Sequence, residues 1–409
     1  MKSRVLLLAL VLAACDSSTP MGTDAGGGTT DAGTPEDAGP MASTDAGHDA
    51  GVASMCPPGV PMPEPWDCST AEPVTAGDPI TADAMTWTWV GFDTAVCMNG
   101  SATGIGVNIN PGSTRLLILL EGGGACFDTV SCLGAANGDG YDESKFTTDV
   151  SGVLQRGILD RSDAANPFAD WSFVYVPYCT GDVHGGQNTS GLGGRYFLGY
   201  QNFSWYLTRI IPTFPDVTEV VLAGRSAGGL GTVVNYPQTA EAFGCTPVHV
   251  LDDAGALLPD AYLRPCLQTT VRDVWSLDMA VPSDCEQCSC DDGGGLVNVL
   301  PWAAARYPDR RFAFLSSLED TTMRQFFGFG YSPGCNFPQD MPAEDYTAGL
   351  NGTRALLSGF DNFGTFFLPG SQHTFTYQSL GLNSVGGTTI GEWLGQMVDG
   401  DPTWDDVGP

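Results

Sequence analysis

Hydrophobic residues are grouped in short, mostly apolar runs, and glycine, proline or acidic residues follow each run. The runs that predict central strands lie at 116–120, 171–177, 220–223, 248–251, 311–317 and 363–368. Such runs are typical of strands buried on both faces of a parallel sheet. Weaker patterns at 85–90 and 104–110 predict an opening antiparallel ribbon, and helices are expected at 200–211 and 390–398. The pattern predicts an α/β fold: a mostly parallel central sheet with helices on both faces.

The first fifteen residues have a different pattern. Lys2 and Arg4 precede an apolar run that ends in Leu12-Ala13-Ala14-Cys15, as in a secretory signal. The end of the run resembles a bacterial lipobox, in which Cys15 is acylated and becomes the mature N-terminus. An ordinary cleaved signal with an accidental cysteine is the alternative. We therefore expect residues 1–15 to be a lipoprotein signal peptide. The mature protein is expected to be anchored by its lipid in the bacterial cell envelope, on the periplasmic or outer-surface side, or else to be secreted.

Residues 16–55 consist mainly of Gly, Ala, Thr, Pro and Asp, with Asp-Ala-Gly recurring five times. Nothing in this composition can bury a core, so it predicts a disordered acidic tether. Residues 56–409 show no linker-like stretch and no repeat, and we expect them to form one domain.

The chain carries 47 acidic and 16 basic residues, which gives a formal net charge of −31. This charge repels nucleic acid and anionic membrane surfaces at long range. We expect no nucleic-acid partner, and contact with a membrane only through the N-terminal lipid.

Thirteen cysteines are present, and twelve remain after Cys15. An even number in an exported chain favours up to six disulfides, and Cys126 and Cys132 are expected to close a short loop. The group Cys285, Cys288 and Cys290 could instead bind zinc, but no histidine is near it and the compartment is oxidising. We expect no metal and no cofactor.

The sequence Gly224-Arg225-Ser226-Ala227-Gly228-Gly229 lies between a predicted strand and a predicted helix. A strand, a sharp turn through glycines and a helix are the context of a nucleophile elbow, which exposes the serine hydroxyl. A tight connection without chemistry is the alternative. Ser226 is the candidate nucleophile.

A second glycine-rich stretch, Glu121-Gly122-Gly123-Gly124, follows the run at 116–120. Consecutive glycines let main-chain N–H groups face an anion. In hydrolases with a nucleophile elbow such a loop supplies part of the oxyanion hole, together with the residue after the serine. Gly122, Gly123 and Ala227 are therefore the candidate donors, and a flexible turn is the alternative.

Carboxylates follow two of the later strands. Asp320 comes after the run at 311–317 and is the candidate triad acid; Asp252 and Asp253 are the alternatives, and Asp320 could also serve only as a helix cap. Asp182 and His184 follow the run at 171–177 and are expected to shape the pocket or to be purely structural.

Of the four histidines, His373 is the best candidate for the general base. His48 lies in the tether, His184 precedes the serine, and His249 alternates with buried valines as a core residue does. His373 follows the last predicted strand and completes the order Ser226, Asp320, His373.

Several collinear stretches resemble the pectin acetylesterases and their animal relative, the carboxylesterase Notum. They are Cys97-Met98-Asn99-Gly100-Ser101, LEGGGACFDTVSC from Leu120, PYCTGDVHGG from Pro177, GRSAGG around Ser226, the Asp320 exit and His373-Thr374-Phe375. The resemblance implies an α/β-hydrolase fold, a Ser226-Asp320-His373 triad and an oxyanion hole from the glycine block and Ala227. Gly124 stands where some relatives carry a bulky aromatic residue, so the pocket wall is expected to differ.

We therefore expect an exported serine carboxylesterase that removes acyl groups from a polysaccharide such as pectin or from another ester. Acetyl is the acyl group that we expect. The alternative is a catalytically silent surface lipoprotein of hydrolase fold that binds carbohydrate.

Overall fold

The computed structural model describes residues 62–71, 74 and 76–409. The predicted signal peptide with Cys15, the tether and Cys56 lie outside the described residues. The described residues belong to one compact unit.

Ten strands occur in the described residues: β1 (Thr88–Val96), β2 (Ala102–Asn108), β3 (Arg115–Leu120), β4 (Ser172–Val176), β5 (Glu219–Arg225), β6 (Val248–Asp253), β7 (Phe312–Ser317), β8 (Phe363–Leu368), β9 (Ser384–Val385) and β10 (Thr388–Thr389). The same part of the chain forms nine α-helices: α1 (Ser131–Gly134), α2 (Glu143–Val150), α3 (Gly199–Thr213), α4 (Ala227–Ala242), α5 (Pro265–Trp275), α6 (Val299–Arg306), α7 (Thr321–Gly328), α8 (Ala343–Leu357) and α9 (Ile390–Val398). Every strand and helix expected from the hydrophobic pattern is present.

Eight strands form one sheet in the order β1-β2-β4-β3-β5-β6-β7-β8. β1 with β2 and β2 with β4 pair antiparallel, whereas the pairs from β4 to β8 are parallel. The predictions of an opening antiparallel ribbon and a mostly parallel sheet are confirmed. Because β3 to β8 are parallel, the loops that follow them all leave the same edge of the sheet.

Helices cover both faces of the sheet, as the uninterrupted apolar strands require. Leu116, Ile118 and Leu120 of β3 belong to one buried cluster, with side chains of α3, α4 and α6. Leu117 and Leu119 belong to another, with side chains of α2 and α9. A third cluster contains residues that follow β4, β5 and β6 together with α5 and α7. This third cluster lies beside the loops that carry the candidate site.

Five disulfides join described cysteines: Cys68–Cys245, Cys97–Cys179, Cys126–Cys132, Cys266–Cys335 and Cys285–Cys288. Cys290 is disulfide-bonded as well. The predicted closure of the loop from Cys126 to Cys132 is confirmed, and disulfides rather than free thiolates occupy the Cys285 to Cys290 group.

No helix in the described part of the chain is both long and apolar enough to cross a membrane.

Candidate active site

Ser226 is the single residue between the end of β5 and the start of α4, and its backbone is strained. Its φ of 54° and ψ of −118° are unusual for a residue with a side chain. A Cβ on Gly224 would lie 2.0 Å from the Gly228 carbonyl oxygen, and one on Gly228 would lie 2.0 Å from the Leu120 carbonyl oxygen. The glycines of the motif are thus needed for close backbone approach, and the turn has the geometry of a nucleophile elbow.

Asp320 lies three residues after the end of β7 and is fully buried. Its Oδ1 accepts the N–H of Met323 at 3.0 Å and so caps α7. Its Oδ2 lies 2.8 Å from Nδ1 of His373. One oxygen of this carboxylate therefore makes a helix-cap contact, and the other contacts the histidine ring.

His373 lies in the loop after β8, and its side chain is 20% exposed. The loop is tied to the neighbouring exit of β7, because the Ser317 hydroxyl donates to the Gln372 carbonyl at 2.7 Å and the Glu319 N–H donates to the Gly370 carbonyl at 2.9 Å. Ser226, Asp320 and His373 therefore follow three parallel strands of the sheet at one edge, where open α/β sheets form their sites.

The glycine loop after β3 lies against the elbow. A Cβ on Gly122 would lie 2.5 Å from the Arg225 carbonyl oxygen and 2.9 Å from the Cβ of Ser226. The Gly122 N–H itself donates to the Glu121 carboxylate at 3.0 Å. The N–H groups of Gly123 and Gly124 make no hydrogen bond to any described residue. Both glycines have positive φ, 154° and 75°.

Ala227 is the first residue of α4, so its N–H has no acceptor within the helix. The N–H groups of Gly123, Gly124 and Ala227 are therefore hydrogen-bond donors close to the serine. Of the three predicted oxyanion donors, Gly123 and Ala227 have free N–H groups here, and Gly122 is engaged by a side chain.

Asp182 and His184 lie behind the site. Asp182 is fully buried, which raises the pKa of its carboxyl, and it accepts the N–H of Gly199 at 2.7 Å at the start of α3. His184 Nε2 lies 2.8 Å from the Glu121 carbonyl oxygen, and burial lowers the pKa of this ring to about 4. A neutral ring donates to that carbonyl, so His184 supports the glycine loop.

The other candidates have local partners. His249 Nδ1 accepts the N–H of Arg311 at 2.9 Å, and burial lowers the pKa of its ring to about 4. Asp252 accepts the N–H of Gly255 at 2.7 Å, and burial raises the pKa of its carboxyl well above the usual range. The carboxylate of Asp253 accepts main-chain N–H groups of the histidine loop rather than the ring.

A small cavity, the serine cavity, opens at the elbow and has a volume of about 40 Å³. It is lined by Gly124, Ala125, Val183, Ser226, Ala227, Leu230, Thr322, Met323 and Phe326. The predicted pocket residue Gly124 is among them, whereas Asp182 and His184 are not.

A second cavity, the distal cavity, has a volume of about 60 Å³ and shares Val183, Leu230 and Phe326 with the serine cavity. Its further lining consists of Val233, Val234, Leu257, Leu263, Leu267, Gln268, Val271, Trp275, Leu277, Ala280, Val281, Pro282, Leu296, Val299 and Phe327. The Gln268 side chain is hydrogen-bonded to Asp260, Leu263 and Leu296, so the cavity presents an apolar surface.

The sequence reasoning missed the distal cavity. Its signal was the spacing of Leu267, Val271 and Trp275, one helical turn apart on α5, which places an apolar stripe on one helix face. Nothing in that spacing says whether the stripe covers the core or lines a cavity.

The sheet order and the elbow define an α/β-hydrolase-type protein. Comparison with known proteins gives the family. The family model described as pectinacetylesterase matches residues 82–291, just over half of the chain, and this chain belongs to that family.

The relatives that match include animal and plant proteins. The palmitoleoyl-protein carboxylesterase notum2 of Xenopus laevis is 32% identical over 151 residues, which are 35% of this chain and 30% of the relative. The NOTUM protein of Homo sapiens is 28% identical over 194 residues, 42% of this chain and 37% of the relative. Pectin acetylesterase 5 of Arabidopsis thaliana is 27% identical over 210 residues, 47% of each chain. The chain thus spans about a third of the length of the Notum relatives that it matches.

Proposed function

We propose that this chain is a serine carboxylesterase with the triad Ser226, His373 and Asp320. The observation that carries the proposal is the 2.8 Å contact between Asp320 Oδ2 and His373 Nδ1, at the sheet edge where the strained Ser226 leaves β5. A carboxylate that accepts the Nδ1–H keeps the imidazole in the tautomer whose Nε2 serves as the base.

The reaction has two halves. In the first, Ser226 Oγ attacks the ester carbonyl while His373 takes its proton, and the alcohol then leaves with that proton as the acyl-enzyme forms. In the second, water attacks the acyl-enzyme while His373 takes a proton from it, and the bond between the acyl carbon and Ser226 Oγ then breaks. His373 returns the proton to Oγ as the acid is released. The negative charge of Asp320 stabilises the imidazolium in both halves.

The oxyanion of each tetrahedral intermediate is held by the N–H groups of Gly123 and Ala227. The Gly123 N–H has no partner among the described residues, and Ala227 begins a helix, so neither group has to give up a hydrogen bond to that part of the chain. Each such donor commonly lowers the barrier by about 3 kcal/mol. The Gly122 N–H, held by Glu121 in this structure, acts indirectly by fixing the loop.

The serine and distal cavities accept the acyl chain. Their volumes of about 40 and 60 Å³ are together about two thirds of the roughly 150 Å³ that holds a six-carbon benzene ring in an apolar protein cavity. By proportion they hold about four carbon atoms. We therefore propose short acyl chains, with butyryl better bound than acetyl and long fatty chains excluded unless side chains move.

Acetylated polysaccharide is the second candidate, and the name of the family model supports it. An acetyl group fits the serine cavity and leaves the distal cavity empty. Polygalacturonate itself is anionic, and a chain with a net charge of −31 repels it unless the polymer is well esterified. An acetyl optimum in the ester series below would favour this candidate.

Ser226→Ala tests the mechanism. The purified variant and the wild type are compared on p-nitrophenyl acetate, butyrate, hexanoate and palmitate, with thermal unfolding as the control for folding. We expect the variant to lose hydrolysis of every ester and to keep its unfolding temperature. Hydrolysis at the wild-type rate by the variant would reject the triad.

A fluorophosphonate probe separates the esterase from a silent carbohydrate-binding protein. If the protein is an esterase, the probe is expected to label the wild type and not the Ser226→Ala variant, because only an activated serine reacts. Absence of labelling in a folded wild type would favour the silent protein.

Export with lipidation at Cys15 is part of the proposal. The charged start, the short apolar run and Leu12-Ala13-Ala14-Cys15 support it. In a bacterial host fed an alkyne fatty acid, the wild type is expected to incorporate the label in the membrane fraction. Equal incorporation by Cys15→Ala would contradict lipidation at this residue.

A further inference from the structure

We infer that a buried polar cluster behind Ser226 positions the three loops on which catalysis depends. The cluster consists of Glu121, Arg225, Asp253, Thr376 and Tyr377, which come from the ends of β3, β5 and β6 and from the loop after β8. This inference rests on the esterase activity proposed above and assigns these five residues as positioning residues for it.

Arg225 is the centre of the cluster. It precedes Ser226 and is fully buried. Its Nη1 lies 3.3 Å from Glu121 Oε2, its Nε donates to the Thr376 hydroxyl at 2.9 Å, and its Nη2 donates to the Thr376 carbonyl at 2.8 Å. The guanidinium carbon lies 3.8 Å from the centroid of the Tyr377 ring. One side chain of the elbow therefore contacts both the glycine loop and the histidine loop.

Asp253 makes a second connection between the elbow and the histidine loop. Its carbonyl oxygen accepts the N–H of Ser226 at 2.7 Å. Its carboxylate accepts the N–H groups of Phe375 and Thr376, each at 2.8 Å, and the Thr376 hydroxyl at 2.7 Å. The backbone of the nucleophile and the backbone two and three residues after His373 are thus held by the same residue.

Glu121 brings the glycine loop into the cluster. Its Oε1 accepts the N–H of Gly122 at 3.0 Å and also the Tyr377 hydroxyl. Its Oε2 faces Arg225. The loop that carries the oxyanion donors is therefore bound, through a single carboxylate, to the elbow and to the histidine loop.

A role in stability alone does not explain the cluster. A buried ion pair often contributes no more to folding than apolar side chains of similar volume. Catalysis, in contrast, needs the base, the nucleophile and the oxyanion donors held to within about 0.5 Å, and loops by themselves are mobile. Two carboxylates and one guanidinium that link three separate loops supply that constraint.

The Thr376 hydroxyl is the member to remove, because it donates to Asp253 and accepts from Arg225. Thr376→Val deletes both hydrogen bonds and keeps the branched shape, and Thr376→Ser keeps the hydroxyl. Thr239→Val is the matched control: Thr239 is fully buried in α4, and its hydroxyl donates to Asn235. Both valine variants therefore lose a buried hydroxyl.

With p-nitrophenyl butyrate, Thr376→Val is expected to lower kcat about 10- to 100-fold with KM within about twofold, since positioning acts on the transition state. Thr376→Ser and Thr239→Val are expected to stay within about threefold of the wild type. Equal losses in Thr376→Val and Thr239→Val, or a loss in Thr376→Ser as large as in Thr376→Val, would overturn the inference.

A readout without turnover separates this inference from the proposed function. The proton between His373 Nδ1 and Asp320 is followed by NMR as a low-field signal, assigned by its loss in His373→Gln. We expect it to broaden in Thr376→Val and to remain sharp in Thr376→Ser. A sharp signal in folded Thr376→Val rejects the positioning role, whether or not the wild type hydrolyses esters. If the wild type is inactive but the signal broadens in Thr376→Val as expected, only the proposed esterase activity is rejected.

Discussion

Filling or enlarging the distal cavity tests the acyl site most directly. Ala280 and Val271 both line that cavity and do not line the serine cavity. Ala280→Val adds two carbon atoms to the wall, and Val271→Ala removes two. The two variants change the cavity in opposite directions and leave Ser226 untouched.

The expected magnitudes follow from the cavity volumes. If about 150 Å³ holds six carbon atoms, two carbons need about 50 Å³, which is most of the distal cavity of about 60 Å³. Each methylene buried contributes about 0.8 kcal/mol, or about fourfold in kcat/KM. The wild type should therefore prefer butyrate over acetate by about 15-fold. Ala280→Val should reduce that ratio to about one.

The assay is kcat/KM on p-nitrophenyl acetate, butyrate, hexanoate and octanoate. Val271→Ala should move the optimum from about four to about six carbons, and thermal unfolding checks that both variants remain folded. The acetate value is expected to stay within about twofold of the wild type in both. An unchanged butyrate-to-acetate ratio in folded Ala280→Val, or an equal loss on both esters, would refute the acyl cavity.

Three further predictions concern the triad acid, the packing of the elbow and a half-buried carboxyl at the start of β5. Asp320→Asn should lower kcat by about 10³- to 10⁴-fold with unfolding little changed, because asparagine also caps α7; activity near the wild-type level would remove Asp320 from the triad. Gly228→Ala should abolish folding or lower the free energy of unfolding by more than about 4 kcal/mol. Its control is Gly134→Ala, which should be tolerated because a Cβ there would meet no atom within 4 Å. Equal unfolding temperatures for the two variants would contradict the close packing of the elbow. Burial raises the pKa of Glu219 from 4.5 to about 7, so the stability that this group contributes is present below pH 4.5 and is lost as the pH rises through 7. Glu219→Gln should therefore raise the unfolding temperature by roughly 5 °C at pH 8 and have little effect at pH 4, and an equal shift at both pH values would show that the charge is not responsible.

Much of the fold follows from local pattern. Leu116 to Leu120 are apolar without interruption because both faces of β3 are covered, and α9 matches the predicted 390–398 because Thr389 and Glu392 form a capping box at its start. These features depend on neighbours in the sequence, so they are readable without the tertiary structure.

The roles of individual carboxylates were only partly readable. Asp252 and Asp253 end β6 and Asp320 follows β7. The sequence favoured Asp320 as the acid, but local pattern alone does not say which side chain turns toward His373. In the structure, Asp320 contacts the ring, and Asp253 contacts the backbone after it. Their difference depends on contacts between residues more than 50 positions apart.

The sequence by itself determined the strand and helix pattern, the elbow around Ser226 and the glycine loop, because each depends on apolar periodicity or on glycines that only a tight turn requires. The tertiary structure decided the acid that faces His373, the free N–H groups near Ser226, the apolar cavities and the cluster around Arg225. Those features arise where loops from separate strands meet at one edge of the sheet, and the distances between such loops are set by packing across the whole domain rather than by any local segment.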